Sequence, residues 1–477
     1  MKKTVLSLLL ACICLSLGAQ TARQFTLTIS DDGVAQLVVS LPEEPTGRAV
    51  VGCPGGGYAV LSNTHECGAW ADFFTGKGIA FAMVNYRIPH GDRTLPISDV
   101  ETAMRILRDS AAVWKINPDD IGIMGSSAGG HLASTIATHT PYELRPNFQI
   151  LFYPVITMGR GTHQGSLDGL LGEGQKDPEL VRLYSNELQV RSHLTPPAIL
   201  LLSSDDNLVP PVPNAIAYYT AMRNAGNNCS IHIYPTGGHG YGNMPFFAYH
   251  DEMVADLSAW LDNLPSPKQD AVRVACIGDS ITDGYLIDLS DTNGYPAQMQ
   301  KMLGEGYWVK NFGVCSRTLL NKGDYPFMEE VAWEDALAFK PDVVVIKLGT
   351  NDSKPQNWVH KADFEKDLQQ MIDVLKALPS QPKIYIATPI PAFKPSWDIS
   401  EEVIAGEIIP MLEKAVKKNK LAGLIDLHTS FEGQEQLLNA DGIHPTQAGA
   451  RKMAEIIAKQ IDPNAKTEQQ RGPWMRR

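Results

Sequence analysis

The chain has 477 residues, of which 44% are hydrophobic and 20% charged, and its formal net charge is −12 at pH 7. This length exceeds the ~250–300 residues at which a single hydrophobic core stops growing, so we expect two domains. The ordinary composition excludes a disordered chain, and the negative charge argues against nucleic acid or anionic lipid as a partner. A neutral or weakly charged substrate fits better.

Residues 1–19 have the pattern of a secretory signal peptide. Two lysines precede an apolar run from Val5 to Leu17, and two small residues follow, the second of which is Ala19. Cleavage after Ala19 would export the chain to the periplasm or the medium. Cys12 lies in a lipoprotein-like box, but the apolar run continues past it, which argues against lipidation. No later segment approaches ~20 uninterrupted apolar residues, so no membrane span is predicted.

Five cysteines lie outside this segment: Cys53, Cys67, Cys229, Cys276 and Cys315. An odd, scattered set does not indicate a disulfide framework. Cys53 and Cys67 are close enough in sequence to pair, but buried free thiols are favoured because cysteine packs as a small apolar residue. The sequence contains no metal-binding spacing such as C-x-x-C or H-E-x-x-H, and neither a metal nor an organic cofactor is predicted.

Apolar runs alternate with helical patterns through the first half of the chain, which predicts a parallel sheet with crossover helices. The predicted strands are Arg48 to Cys53, Ile79 to Tyr86, Ile121 to Gly125, Gln149 to Tyr153, Ala198 to Ser203 and Ser230 to Tyr234. The helix with the clearest periodicity is Ile97 to Trp114.

Residues 264–270 contain two prolines among polar neighbours and are predicted to be a linker. After them the alternation restarts, with predicted strands Val272 to Ile277, Trp308 to Phe312, Asp342 to Leu348, Lys383 to Ala387 and Leu424 to Leu427. A last helix is predicted from Pro445 to Gln460, followed by a frayed tail, residues 463–477. We therefore expect an α/β protein of two three-layer α/β/α domains with mainly parallel sheets, residues 20–263 and 271–462.

The segment Gly125-Ser-Ser-Ala-Gly129 matches G-x-S-x-G between a predicted strand and the helical stretch His131 to His139. A nucleophile on such a sharp turn needs small neighbours, which makes Ser127 the candidate. The start of the helix behind it supplies free backbone N–H groups for an oxyanion. Upstream, Cys53-Pro-Gly-Gly-Gly57 offers bare N–H groups for a second donor, although a simple glycine-rich turn is the alternative interpretation.

A serine nucleophile needs a base, and the base needs an orienting carboxylate. Asp206 follows one predicted strand, and His239, between glycines, follows the next. Because loops after parallel strands share one edge of the sheet, we expect both residues to meet Ser127. Asp205, adjacent in sequence, is the alternative acid.

These motifs resemble the α/β-hydrolase superfamily, and within it the acetyl-esterase and hormone-sensitive-lipase-like groups, over about residues 25–263. The resemblance implies a triad of Ser127, Asp206 and His239, with the N–H groups of Gly56, Gly57 and Ala128 as oxyanion donors. The Asp-x-x-Val-Pro spacing of those groups favours Asp206 over Asp205. Pro54 stands where they usually have the histidine of His-Gly-Gly-Gly, which is similar to secreted glycan esterases.

Four ordered blocks follow in the second half: Gly278-Asp-Ser280, Asn311 to Thr318, Leu348-Gly-Thr-Asn-Asp352 and Asp441-Gly-Ile-His-Pro445. Ser280 is the candidate nucleophile, and one loop carries both its base, His444, and the carboxylate, Asp441. A helix N-cap is the alternative role for Asp441. The Gly313 N–H and the Asn351 amide can join the Ser280 N–H as oxyanion donors, each contributing ~3–4 kcal/mol. A turn residue is the alternative for Asn351.

The blocks resemble the SGNH, or GDSL, esterase family over about residues 271–462, particularly members that remove acetyl groups from sugars. One departure is Ser316, which stands where the family often has a second glycine. Gly313, which the resemblance aligns with the family's oxyanion donor, is present in this sequence.

Together the two resemblances imply a bifunctional secreted serine carbohydrate esterase that hydrolyses O-acetyl or feruloyl esters on glycans such as xylan through acyl-enzyme intermediates. The alternatives are a general carboxylesterase or lipase, and a glycan-binding module in place of one catalytic domain. A lid-length segment, Thr157 to Arg191, lacks the apolar stripe of a lipase lid. Complete residue sets in both halves argue against a binding module. The expected partner is an acetylated glycan, and the sequence indicates no oligomeric state.

Overall fold

The computed structural model describes residues 23–466. The predicted signal peptide, including Cys12, lies outside the described residues, as do residues 467–477 of the predicted tail. The described chain forms two separate sheets, one of eight strands and one of five. We call residues 23–263 the eight-stranded unit and residues 272–466 the five-stranded unit.

The first sheet has the strand order β1-β2-β4-β3-β5-β6-β7-β8. Its strands are β1 Arg23–Thr28, β2 Gln36–Leu41, β3 Ala49–Cys53, β4 Ala80–Asn85, β5 Ile121–Ser126, β6 Gln149–Phe152, β7 Ala198–Ser203 and β8 Cys229–Tyr234. All neighbours from β4 to β8 pair in parallel, whereas β2 is antiparallel to both β1 and β4. The carboxyl ends of β5, β7 and β8 therefore lie along one edge of the sheet.

The six strands predicted in this half are confirmed, with small shifts at their ends. The antiparallel pair β1 and β2 lies outside the predicted strands. The predicted helix Ile97 to Trp114 is two helices, Thr94–Asp109 and Ala111–Trp114, because the backbone leaves helical geometry at Ser110.

The second sheet has the order β10-β9-β11-β12-β13, and every neighbouring pair is parallel. Its strands are β9 Val272–Gly278, β10 Tyr307–Gly313, β11 Val343–Lys347, β12 Lys383–Ala387 and β13 Gly423–Ile425. Alternate residues of β9 and β11 enter two different apolar clusters, one on each face of the sheet. Both faces are thus covered, as expected for a parallel sheet.

Helices cover both sheets. In the eight-stranded unit, the further α-helices are Asn63–Glu66, Ala71–Gly76, Ala128–His139, Gln164–Leu171, Pro178–Leu183, Ala217–Asn224 and His250–Asn263. In the five-stranded unit they are Ser280–Asp283, Ser290–Asn293, Tyr295–Leu303, Val331–Ala338, Pro355–Trp358, Phe364–Lys376, Glu401–Val403, Ile409–Asn419, His428–Phe431 and Gln447–Ile461. None of the helices within residues 23–466 is long and apolar enough to cross a bilayer.

The predicted linker, residues 264–270, has no regular secondary structure but is held against the eight-stranded unit. Asn117 donates a side-chain hydrogen bond of 2.6 Å to the carbonyl of Pro267, and Gln269 donates one of 3.2 Å to the carbonyl of Ile116. The two units also pack directly on each other, since the rings of Tyr142 and Phe339 meet edge to face at 6.2 Å.

The five cysteines outside the predicted signal peptide are free thiols, and only Cys315 among them is partly exposed. Cys53 and Cys67 are both buried and do not pair. Burial raises the pKa of each of these two thiols, so they remain protonated and pack as apolar groups.

Two candidate active sites

Ser127 lies between the end of β5 and the helix Ala128–His139 with φ 54° and ψ −122°. A serine with positive φ is strained, and such strain is typical of a nucleophile turn. A Cβ atom at Gly125 would lie 2.1 Å from the carbonyl oxygen of Gly129. One at Gly129 would lie 2.1 Å from the carbonyl oxygen of Cys53. Both glycines of the motif are therefore required sterically.

The structure brings Ser127, His239 and Asp206 together. His239 Nε2 lies 2.8 Å from Ser127 Oγ, and His239 Nδ1 lies 2.6 Å from Asp206 Oδ2. The other oxygen of Asp206 accepts hydrogen bonds from the N–H groups of Leu208 and Val209, at 3.0 and 2.9 Å. The Asp206 carboxylate is only 3% exposed, and these bonds keep it oriented toward the imidazole. The set has the contacts of a nucleophile, a base and an orienting acid.

Asp205, the alternative acid, makes a different contact. Its Oδ1 accepts a 2.8 Å hydrogen bond from the N–H of Gly238, the residue before His239. Asp205 thus supports the backbone of the histidine loop, whereas Asp206 contacts the imidazole itself.

The glycine-rich loop after β3 lies beside this triad. Gly56 and Gly57 have φ of 117° and 65°, and a Cβ atom at Gly56 would lie 2.2 Å from the carbonyl oxygen of Val60. Within residues 23–466, the N–H groups of Gly56, Gly57 and Ala128 have no acceptor. Ala128 is the first residue of its helix, where N–H groups lack intrahelical partners. These N–H groups are therefore free to bind an anionic oxygen.

Glu66, which the motifs do not identify, lies beside this site. It is 3% exposed, and its Oε2 has no hydrogen-bond partner in the described residues. A Cβ atom at Gly55 would lie 2.2 Å from that oxygen and 3.0 Å from the Cβ of Ser127. Burial raises the pKa of Glu66, and the positive charge of protonated His239 opposes the rise. A lone acid in a short helix carries no sequence signal of this placement.

In the second site, Ser280 begins the short helix Ser280–Asp283 that follows β9. The preceding residue, Asp279, caps this helix by accepting a 3.0 Å hydrogen bond from the N–H of Ile281. Asp279 also pairs with Lys347 at 3.1 Å, and both side chains are fully buried. Burial lowers the pKa of Lys347, and the negative charge of Asp279 opposes this. The pair fixes the turn that carries Ser280. The sequence signal that could have identified this pair is the lysine at the end of an otherwise apolar strand.

Ser280, His444 and Asp441 form a second chain of contacts. Ser280 Oγ lies 2.8 Å from His444 Nε2, and His444 Nδ1 lies 2.7 Å from Asp441 Oδ2. Burial tends to raise the pKa of Asp441, but hydrogen bonds from the imidazole and from the N–H groups of Ile443 and His444 leave that pKa below its usual value. The last helix is capped by Thr446 instead, whose hydroxyl accepts the N–H of Gly449.

The prediction that the Gly313 N–H is an oxyanion donor is wrong. That N–H donates a 2.8 Å hydrogen bond to the side-chain oxygen of Asn311. Gly313 also does not line the cavity at Ser280. A Cβ atom at Gly313 would lie 2.2 Å from the backbone nitrogen of Asp283. The glycine is therefore required for close packing of the strand end on the nucleophile helix.

Ser316 occupies the position expected of the donor. With Ser280 and Asn351 it lines a cavity of about 190 Å³, and its φ is 70°. The N–H groups of Ser280 and Ser316 have no acceptor in the described part of the chain. Asn351 Nδ2 donates to the carbonyl of Arg317 at 3.1 Å, which leaves its second hydrogen available. Three donors thus border the nucleophile.

Each site combines a hydroxyl, an imidazole and a carboxylate in hydrogen-bond contact with free N–H groups beside the hydroxyl. This arrangement can transfer an acyl group through a covalent acyl-serine. The nucleophiles, bases and acids predicted from sequence all take part in these contacts.

Comparison with known proteins gives matches in both units. Residues 276–452 match the GDSL-like Lipase/Acylhydrolase family, and residues 38–151 match the family described as BD-FAE. The acetylxylan esterase of Xylanibacter ruminicola is 57% identical over 468 residues, which cover 94% of this chain and 97% of that protein. The endo-1,4-beta-xylanase B of Butyrivibrio fibrisolvens is 33% identical over 41% of this chain and 33% of its own length. Among solved structures, the acetyl ester-xyloside bifunctional hydrolase from Caldicellulosiruptor lactoaceticus is 28% identical, covers 51% of this chain and 98% of that chain, and has a TM-score of 0.47.

Proposed function

The chain belongs to the acetylxylan esterase family and is a carboxylic ester hydrolase, and we propose that it removes O-acetyl groups from xylan at two serine sites. The observation that carries the proposal is the 57% identity to the Xylanibacter ruminicola enzyme, which extends over 94% of this chain and so includes both sites. The two sites then act on esters of one polymer, each through its own nucleophile.

At the first site, His239 accepts the proton of Ser127 Oγ as that oxygen attacks the acetyl carbonyl carbon. The carbonyl electron pair moves onto the oxygen, which the free N–H groups of Gly56, Gly57 and Ala128 stabilise. The tetrahedral intermediate collapses as the imidazolium gives its proton to the departing sugar oxygen. Water, deprotonated by His239, then attacks the acyl carbon, and the imidazolium returns the proton to Ser127 Oγ as acetate leaves. Asp206 holds the imidazole in the required tautomer throughout.

At the second site, Ser280, His444 and Asp441 perform the same steps, with oxyanion donors from the N–H groups of Ser280 and Ser316 and from the Asn351 amide. The cavity of about 190 Å³ is smaller than the ~300–1,000 Å³ of sites that enclose a drug-sized ligand. Its size supports a short acyl group, such as acetyl, in preference to a long fatty acyl chain.

We also propose that the two units are separate domains, residues 20–263 and 271–462, joined by residues 264–270. Their separate sheets and separate apolar clusters support this division. Export through residues 1–19, as a periplasmic or secreted enzyme, belongs to the same proposal and rests on the residue pattern of that segment.

The test uses the full chain with Ser127→Ala, Ser280→Ala and the double substitution. Acetate release from acetylated xylan should fall in each single variant and cease in the double variant. Ser258→Ala, on the helix His250–Asn263, serves as the control and should match the unmodified chain. Feruloylated xylan and a long-chain fatty ester are assayed in parallel. If the double variant still releases acetate, or if only the fatty ester is hydrolysed by the unmodified chain, the proposal is rejected.

A further inference from the structure

We propose that the cleft between the two units is a glycan-binding subsite of the Ser280 active site, to which the eight-stranded unit contributes Arg191. The ligand is the part of an acetylated polysaccharide chain that extends beyond the acetylated sugar. This inference rests on the proposed function, because it assigns a polymeric substrate to Ser280.

The cleft is large and adjoins the Ser280 cavity. Its volume is about 710 Å³, and its walls come from both units. Tyr285 and Cys315 line both this cleft and the cavity of about 190 Å³ at Ser280. An acetyl group can enter the small cavity, but the glycan that carries it must lie outside. The cleft lies next to that cavity and has the volume of a small-molecule binding site.

Arg191 provides unused donors in the cleft. Its guanidinium makes no hydrogen bond or ion pair within residues 23–466, although burial and the neighbouring Arg145 lower its pKa. The other two arginines of the cleft are paired, Arg223 with Asp291 at 3.4 Å and Arg317 with Glu330 at 2.6 Å. A partly buried guanidinium with free N–H groups is suited to sugar hydroxyls or to the carboxylate of an acidic sugar.

Two exposed aromatic side chains line the Ser280 cavity, Tyr285 at 41% and Trp397 at 61% exposure. The rings of Tyr285 and His444 meet edge to face at 4.9 Å, so the tyrosine packs against the catalytic imidazole. Trp397 is held with φ 58°, a costly conformation for an aromatic residue. Rigid aromatic surfaces of this kind suit the apolar faces of sugar rings. A glycan can therefore contact aromatic rings at the Ser280 cavity as well as the Arg191 guanidinium in the cleft.

The two walls are fixed relative to each other through Asp283, the last residue of the nucleophile helix. Ser192 Oγ donates a 2.6 Å hydrogen bond to Asp283 Oδ1, and His193 Nε2 lies 2.6 Å from the Asp283 carbonyl oxygen. Since Ser192 and His193 follow Arg191 directly, these contacts fix the backbone at Arg191 relative to the helix that carries Ser280. The eight-stranded unit thereby forms part of the second site's binding surface.

The test is made on the full chain carrying Ser127→Ala, so that only Ser280 turns over substrate. Arg191→Ala and Arg191→Gln are compared on acetylated xylo-oligosaccharides of increasing length and on p-nitrophenyl acetate. We expect the ratio of kcat/KM on the longest oligosaccharide to that on p-nitrophenyl acetate to fall at least tenfold, mainly through KM. Arg191→Lys should recover part of the loss. Arg105→Ala, an exposed arginine outside the cleft, is the control and should leave the ratio unchanged.

Oligosaccharides with and without a uronic acid separate hydroxyl from carboxylate recognition, and a loss on either one supports the subsite. The subsite is overturned if the ratio of kcat/KM stays unchanged, including the case in which activity falls equally on the oligosaccharide and on p-nitrophenyl acetate. A different result identifies failure of the proposed function: the Ser127→Ala chain would then cleave p-nitrophenyl acetate but no acetylated xylo-oligosaccharide. In that case the subsite proposal falls together with the function.

Discussion

Arg145 and Asp335 form an ion pair across the two units, and both side chains are buried. Arg145 also donates hydrogen bonds of 3.2 and 2.9 Å to the carbonyl of Thr140. Removing one partner of such a pair leaves an uncompensated buried charge, which costs about 3–5 kcal/mol, whereas replacing both with apolar groups costs far less. We expect Arg145→Met and Asp335→Leu each to lower the free energy of unfolding by that amount, and the double variant to be more stable than either single one.

Urea unfolding followed by circular dichroism measures these differences. Lys361→Met, which breaks an exposed pair with Glu407, is the control and should leave the free energy of unfolding almost unchanged. Additive losses in the double variant would contradict the expectation, because they would mean that the two charges do not interact.

The acid of the first site can be identified by exchanging each of two adjacent carboxylates. In a Ser280→Ala background, Asp206→Asn should lower kcat on p-nitrophenyl acetate by about 10³–10⁴-fold, since the imidazole loses the acceptor that fixes its tautomer. Asp205→Asn should cost less than tenfold, because Asp205 accepts only the N–H of Gly238. Equal losses in the two variants would show that Asp205 acts on the imidazole as well.

Motif order and strand order predicted which side chains meet, because loops after parallel strands share an edge whatever their separation along the chain. Asp206 and His239 follow neighbouring strands, β7 and β8, and so reach Ser127 together. The same reasoning could not distinguish Gly313 from Ser316, since the outcome depends on a local hydrogen bond to Asn311 and on the sign of φ.

Other features depend on tertiary contacts that leave no periodic trace. Glu66 is notable because it is buried beside a loop that is distant in sequence. Arg191 is notable because the five-stranded unit packs against the unit to which it belongs. Strand–helix alternation does not reveal β1 and β2, because these two strands form an antiparallel pair at the edge of the sheet.

Two separate substitutions test whether Ser316, and not Gly313, supplies the backbone oxyanion donor of the second site. Ser316→Gly keeps the backbone N–H and suits the positive φ of 70°, so in a Ser127→Ala background it should retain activity. Gly313→Ala places a Cβ 2.2 Å from the backbone nitrogen of Asp283 and should destabilise the fold by about 1–3 kcal/mol, with loss of activity. Kinetics on p-nitrophenyl acetate and thermal unfolding measure the two effects. An active Gly313→Ala variant of unchanged stability would refute the packing role.

Glu66 is expected to assist the base of the first site. Because protonated His239 lowers the pKa of Glu66, reciprocity requires that the Glu66 charge stabilises protonated His239, which forms as Ser127 attacks. In a Ser280→Ala background, Glu66→Gln should therefore lower kcat at least tenfold at neutral pH. Glu187→Gln removes another carboxylate with an unpartnered oxygen and is the matched control. A change confined to KM would indicate a substrate contact instead.

Lys310 makes the stability of the interface depend on pH. Its ammonium lies 4.8 Å from the ring centre of Tyr142 and 5.3 Å from that of Trp308, where the two units meet. Burial, with repulsion from Arg145, lowers the pKa of Lys310 from 10.5 to about 8. Below pH 8 the folded chain bears the full cost of the buried charge, which the rings offset only in part.

Between pH 8 and 10.5 the unfolded chain binds more protons at this lysine than the folded chain does, so its contribution to stability rises with pH in that window. Lys310→Met removes both the cost and the proton linkage. Its free energy of unfolding should exceed that of the unmodified chain at pH 7, and the excess should shrink as the pH rises from 8 to 10. Urea unfolding at pH 7, 8, 9 and 10 measures this, with the exposed Lys383→Met as control. A constant difference between the two chains at all four pH values would mean that Lys310 has the same pKa folded and unfolded.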